Sequence, residues 1–157
     1  MTKQNTKIII WDFNRTIYNP DTQTLIEHAG EVIQYAQQQK YKNIIFSKNN
    51  AGTLPVQQLL ATFQLDSFFN DFVENTEKSI STLIPILKKY HVNKKQSFFI
   101  SDRAQSDIPI GNALGLQTVW FRNGKFANEE PREKSEFPHY TITNFLEFKN
   151  ILQSTHT

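Results

Sequence analysis

The 157-residue sequence contains no cysteine and a single methionine. Lack of cysteine excludes disulfide frameworks, zinc ribbons, iron–sulfur clusters and thiol nucleophiles together. It also suits a reducing, cytoplasmic setting, which is the expected location. No apolar run approaches the ~18 residues of a membrane span. Residues 1–7 are polar and have no apolar signal-peptide core, so no membrane partner is expected. Charge of one sign is missing as well: 17 Lys and Arg against 15 Asp and Glu leave +2. With no Lys/Arg stripe, a nucleic-acid partner is not expected either. Repeats are absent, and Gln37-Gln38-Gln39 is the longest low-complexity run. What the chain does have is apolar bulk, with 13 Phe and five Tyr. A chain of this length can bury roughly 68–70% of its unfolded surface without a covalent or metal staple, and a single domain over residues 1–157 is expected.

Short apolar runs alternate with helical patterns. Lys7 to Trp11 is a continuous β-branched run ending in Asp12, and reads as a strand buried on both faces. Leu25, Ala29, Val32/Ile33 and Ala36 recur at helical spacing and predict an amphipathic helix over about 24–39. Asn43–Ser47 is the next strand, followed by a helix near 55–63 with proline in its first turn. Asp71–Glu74 is a weaker strand pattern. Ser81–Tyr90 is helical by spacing, but Pro85 inside it predicts a start at Ser81–Thr82 or a kink. Gln96–Ile100 is a strand, Ser106–Gly115 a helix closed by glycine, and Gln117–Phe121 a strand. Residues 122–138 read as a charged surface loop, then Tyr140–Ile142 as a short strand and Asn144–Leu152 as a closing helix. Strands separated by helices define an α/β chain with a mostly parallel sheet.

Asp12, Ser47 and Asp102 each follow a strand. Ligands of open α/β sheets bind beyond the carboxyl ends of strands, where strand order reverses. If the first strand is central, these three residues converge on one crevice. Any one of them alone is more simply a turn or helix cap.

These residues carry a resemblance. Asp12-Phe13-Asn14-Arg15-Thr16 after a buried strand resembles the D-x-D-x-T motif of the haloacid dehalogenase (HAD) superfamily. Ser47 is similar to that family's Ser/Thr motif, and Lys78, ahead of the Pro85 helix, to its lysine. Ser101-Asp102-Arg103-Ala104-Gln105-Ser106-Asp107-Ile108 resembles the acidic fourth motif, and 112–120 the helix–strand unit after it. The resemblance spans about residues 7–152. It implies a Rossmann-like three-layer sandwich and a Mg2+-dependent phosphatase acting on a small or macromolecular phosphomonoester. In that scheme Asp12 is the nucleophile. Mg2+ is held by Asp12, Asp102 and the Asn14 carbonyl, with Asp107 completing or supporting the shell. Ser47 and Lys78 bind the phosphoryl oxygens. Oxygen ligands and a lysine are what a transferring phosphoryl group requires.

One position departs from the pattern. Asn14 stands where phosphatases of this family carry the acidic general acid/base, and an amide cannot exchange a proton at useful pH. Such catalysis is worth about 100- to 10,000-fold, so slow turnover is expected, or a non-catalytic phosphate-binding role on the same fold. Only 34 residues separate Asp12 from Ser47 and 30 separate Ser47 from Lys78. By the resemblance this implies a core without a cap domain, its open site taking a bulky phosphate or being covered by a partner subunit of a homo-oligomer. A receiver-type signalling domain fits less well, since it needs an acidic pair directly after the first strand and an aspartate after the third. Arg103 and Arg122 are within range of a phosphate by sequence, with solvated surface positions the simpler expectation. His28, His91, His139 and His156 show no ligand spacing.

Overall fold

The computed structural model describes residues 6–49 and 52–155. Six parallel strands form the central sheet: β1 (Ile8–Trp11), β4 (Lys42–Lys48), β5 (Asp71–Asn75), β6 (Phe98–Ser101), β7 (Gln117–Phe121) and β8 (Tyr140–Ile142), in the order β5-β4-β1-β6-β7-β8. All four residues of β1 are buried, as its unbroken apolar composition requires of a strand covered on both faces. Its side chains alternate between two cores. Ile9 and Trp11 pack with α1 (Ala29–Gln38), α2 (Val56–Thr62) and α5 (Phe145–Ser154). Ile8 and Ile10 face the other way, toward α3 (Ile80–Lys89) and α4 (Ile108–Ala113). Helices thus cover both faces of the sheet, giving the three-layer α/β sandwich expected from the sequence.

Strand order reverses at β1. The chain runs outward from β1 through β4 to β5, then crosses back to β6 on the other side of β1 and continues to β8. A cleft therefore opens beyond the carboxyl ends of β1 and β6.

Two helices differ from the sequence reading. The pattern over 24–39 yields a helix only from Ala29. Its first residues instead form a hairpin, β2 (Tyr18–Asn19) with β3 (Thr24–Leu25). Asn19 closes this turn by accepting from Asp21 N through its side chain and from Gln23 N through its carbonyl. Gln23 and His28 both adopt left-handed backbone angles, φ 57° and 65°, which interrupt a helix at each point. The apolar residues Leu25 and Ile26 still face the core, so their spacing imitated a helical stripe. In α3, Pro85 is neither at the start nor a terminator; the helix begins at Ile80 and runs past it. The missing N–H leaves the Ser81 carbonyl without its usual helical donor.

Close approach of α4 to the sheet depends on Gly111. A methyl group there would lie 2.6 Å from Thr118 Cγ2 and 2.8 Å from Phe99 Cγ. Gly111→Ala should therefore destabilise the fold by roughly 1–3 kcal/mol, the usual cost of overpacking a core. Urea unfolding at unchanged m-value measures this; an unaltered midpoint would show that α4 can shift without cost.

Candidate active site

Asp12 is the first residue past β1, and its N–H still donates to the Ile100 carbonyl of β6 at 3.0 Å. The chain then turns tightly, with the Phe13 carbonyl accepting from the N–H groups of Thr16, Ile17 and Tyr18. That turn tucks the fully buried Thr16 hydroxyl beneath the site. It donates to Asp12 Oδ2 at 2.9 Å and accepts from Asp102 N at 3.1 Å, tying the ends of the two central strands together.

Lys78 precedes α3 and reaches into the same place. Its Nζ lies 2.5 Å from Asp12 Oδ1 and 2.7 Å from Asp107 Oδ2. Burial alone would pull this ammonium's pKa down, but the Asp12 and Asp107 charges more than reverse that and hold it above its ordinary value. Lys88 and Lys89 lie at the other end of α3, where Lys89 pairs with Asp71 at 2.8 Å. Asp107 sits at the start of α4 and also accepts from Ser101 Oγ (2.7 Å) and Ser106 Oγ (3.2 Å). Ser47, at the end of β4, is buried and lines the crevice, and Asn14 lines its wall.

Asp102 is the anomaly. It is 2% exposed, and its Oδ2 is buried without a hydrogen-bond partner among the described residues. Burial first, then the negative charge of Asp12 and Asp107, pushes its carboxyl up to about 9. An orphaned buried carboxylate oxygen beside a second carboxylate is what a hard cation satisfies. Among the described residues no three His, Cys, Asp or Glu side chains are grouped to hold a metal by themselves. A Mg2+ site does not require that, because this ion commonly uses one or two carboxylates and keeps several waters. The carboxylates of Asp12 and Asp102, one with an unpartnered buried oxygen, fit that pattern.

The crevice around these groups has a volume of about 520 Å3. All six residues expected from the sequence, Asp12, Asn14, Ser47, Lys78, Asp102 and Asp107, line it. Arg103 lines it too, but its guanidinium is held by Glu129 at 2.9 Å and lies 3.9 Å from the Phe126 ring centre. Arg122 lies outside the crevice lining and is paired with Glu130. No described histidine lines the crevice, and His156 lies outside the described residues. Thr16 and Ser101 were present in the quoted motifs, yet their supporting bonds are visible only in three dimensions. Glu129 was not recognisable at all: it accepts from Gln105 N at 2.8 Å as well as from Arg103, clamping the 122–138 loop to the segment between Asp102 and Asp107.

Acidic and cationic side chains are gathered at the switch point of an open parallel α/β sheet. The HAD-hydrolase-like family model matches residues 79–148. The chain is 28% identical over 106 residues to the glyceraldehyde 3-phosphate phosphatase of Pyrococcus furiosus, an alignment covering 63% of this chain and 44% of that one. It spans less than half the length of the curated relatives it matches. Among solved structures, an uncharacterized Listeria monocytogenes protein superposes with a TM-score of 0.71 at 16% identity, over 94% of this chain and 99% of its own. Magnesium-bound YfnB of Bacillus subtilis, a candidate HAD hydrolase, gives 0.67 at 21% identity over 82% of this chain and 56% of its own. In part of its sequence and in its fold, the chain is similar to the HAD-like hydrolases.

Proposed function

We propose that the chain is a Mg2+-dependent phosphomonoester hydrolase that works through Asp12 as a nucleophile. The observation that carries this reading is the pairing of Asp12 Oδ1 with Lys78 next to the partnerless Oδ2 of Asp102. One carboxylate is thus oriented by an ammonium while its neighbour awaits a cation. Thr16 and Lys78 fix the Asp12 carboxylate from two sides, leaving its remaining lone pairs for an incoming phosphorus. Attack forms an aspartyl-phosphate and breaks the P–O bond to the leaving group, which departs with the electron pair. Water then cleaves the acyl-phosphate and releases inorganic phosphate. Ser47 and Lys78 bind the phosphoryl oxygens, Lys78 offsetting their charge. Asp12 and Asp102, with the Asn14 carbonyl, would hold Mg2+, which would supply positive charge against the phosphoryl oxygens. Asp107, occupied by Lys78, Ser101 and Ser106, acts from behind by holding the lysine.

Among the described residues, the hairpin and α1 lie between β1 and β4, and α2, a short 3-10 helix (Asp66–Phe68) and β5 lie between β4 and α3. We read this as a capless single unit with an open crevice, acting in the cytoplasm on a phosphorylated substrate. Among the described residues no helix is long and apolar enough to cross a membrane. The test is phosphate release from a panel of aryl, acyl, sugar and triose phosphates, glyceraldehyde 3-phosphate included, in Mg2+ and in EDTA. Release from activated esters that stops in EDTA is the expected result. Phosphate binding without release from any member would replace the enzyme by a phosphate-binding protein on this fold, as Asn14 alone would favour.

A further inference from the structure

A second, smaller cavity of about 260 Å3 lies behind Asn14, which lines both it and the phosphate crevice. One side is built by the β1–β2 turn. There the Phe13 and Tyr18 rings stack with centroids 5.2 Å apart and planes inclined by 9°. The opposite side comes from the segment entering α2, through Leu54, Val56 and Leu59. Leu54 is 56% exposed, so this leucine contributes little to the protein's own core and presents apolar surface at the cavity. Glu74 is a polar group at the cavity. One of its carboxylate oxygens accepts from Val56 N at 3.1 Å, fixing the side chain in place.

Resting on the hydrolase reading above, we infer that this cavity is the leaving-group subsite, and that it selects phosphoryl donors whose departing group carries a neutral, apolar body about one ring in size. Asn14 lies two residues after the nucleophile Asp12 and lines both the crevice and the cavity. A group departing past Asn14 enters the cavity on Asn14's other side. Aromatic and aliphatic walls favour an apolar body there, and apolar pockets with few polar groups are the usual form of small-molecule sites. The Glu74 carboxylate disfavours a second anionic group at that depth and accepts a hydrogen bond from a hydroxyl or amine. In the wider crevice, rimmed by Arg15, Lys48 and Glu77, the aromatic lining residue is Phe126, whose ring is covered by the Arg103 guanidinium at 3.9 Å.

The test compares acetyl phosphate with phenylacetyl phosphate. Both leaving groups are carboxylates of similar basicity that need no protonation, so the two differ mainly by the ring. In Mg2+, with uncatalysed hydrolysis subtracted, kcat/KM should favour the phenyl compound by about tenfold or more, since a single methylene in a hydrophobic pocket already gives ~10-fold or better. Leu54→Ser, which alters an exposed side chain, should shrink that ratio to about threefold or less. Independently of any turnover, saturable binding of 2-phenylethanol followed by NMR should perturb the Tyr18 ring, weaken in Leu54→Ser and be absent with ethanol. Hydrolysis of both acyl phosphates at equal efficiency, without 2-phenylethanol binding, would overturn the subsite and leave the hydrolase standing. Binding of 2-phenylethanol at Tyr18 without hydrolysis of either compound would support the cavity as a ligand site and overturn the hydrolase. Absence of both would overturn both.

Discussion

Asn14→Asp should raise steady-state hydrolysis of an activated aryl phosphate by about 100-fold or more, and Asp12→Asn should remove it. The first change restores a carboxyl where the chain has an amide, at nearly constant volume, and general acid/base catalysis contributes about 100- to 10,000-fold. In wild type an aryl leaving group departs without help, so Asp12 is still phosphorylated. The second step then lags, because no base activates the water. The expected trace is a burst followed by slow release, and Asn14→Asp should convert it to a faster linear phase. The gain should be larger on unactivated alkyl phosphates, where the leaving oxygen also needs a proton. Asp12→Asn should lose burst and turnover together, because the amide cannot form the acyl-phosphate. A wild type that already matches Asn14→Asp on alkyl phosphates would mean that another group supplies the proton.

Asp102→Asn should make the metal-free protein more heat-stable at pH 8 and insensitive to Mg2+. The Asp102 carboxyl is raised from 3.8 to about 9, by burial and by Asp12 and Asp107. A raised folded-state pKa contributes stability that is whole below the unfolded value and lost as pH climbs to the folded one. Metal-free wild type should therefore lose thermal stability between about pH 4 and pH 9, and the variant should show a flatter profile. At pH 8 the folded Asp102 carboxyl is still largely protonated, and relief of the cost of keeping that proton should appear as several degrees, each kcal/mol being worth roughly 2–4 °C in a chain of this size. Mg2+ should return the wild type's lost stability by mass action and leave the variant unmoved. Differential scanning calorimetry in EDTA and in excess Mg2+ reads both effects. Equal Mg2+ stabilisation of the two proteins would remove Asp102 from the metal site.

The strand ends were readable because each buried parallel strand is a continuous apolar run, and the first polar residue after it marks its carboxyl end. Lys7–Trp11 followed by Asp12 and Phe98–Ile100 followed by Ser101-Asp102 are of this kind. Once β1 is central, convergence follows from topology. The hairpin at 18–25 was not readable, since Leu25 and Ile26 are partly buried against the core by a strand and a turn at a spacing that also suits a helix. Lys78 stands out from Lys88 and Lys89 in the sequence by its place ahead of the Pro85 helix, and the entry path of α3 brings it to Asp12. Glu129 lies in a charged loop where nothing in the local pattern separates a clamp from a solvated acid.

The Thr16 hydroxyl, bonded to Asp12 and to the backbone of Asp102, joins residues 86 positions apart. Strand β1 pairs with β4 about one-fifth of the chain later and with β6 well past its midpoint. Such remote pairings delay folding, because the loops must close before any contact stabilises them. During synthesis, Asp12 emerges long before Asp102, and the carboxylates meet only after the hairpin, α1, β4, α2, β5, α3 and β6 have been made. The amide proton of Asp102, held by a side chain from the far end of this connection, is therefore a probe of the completed sheet. Its exchange with deuterium should report opening of β1 from β6, and not the fraying of any local turn.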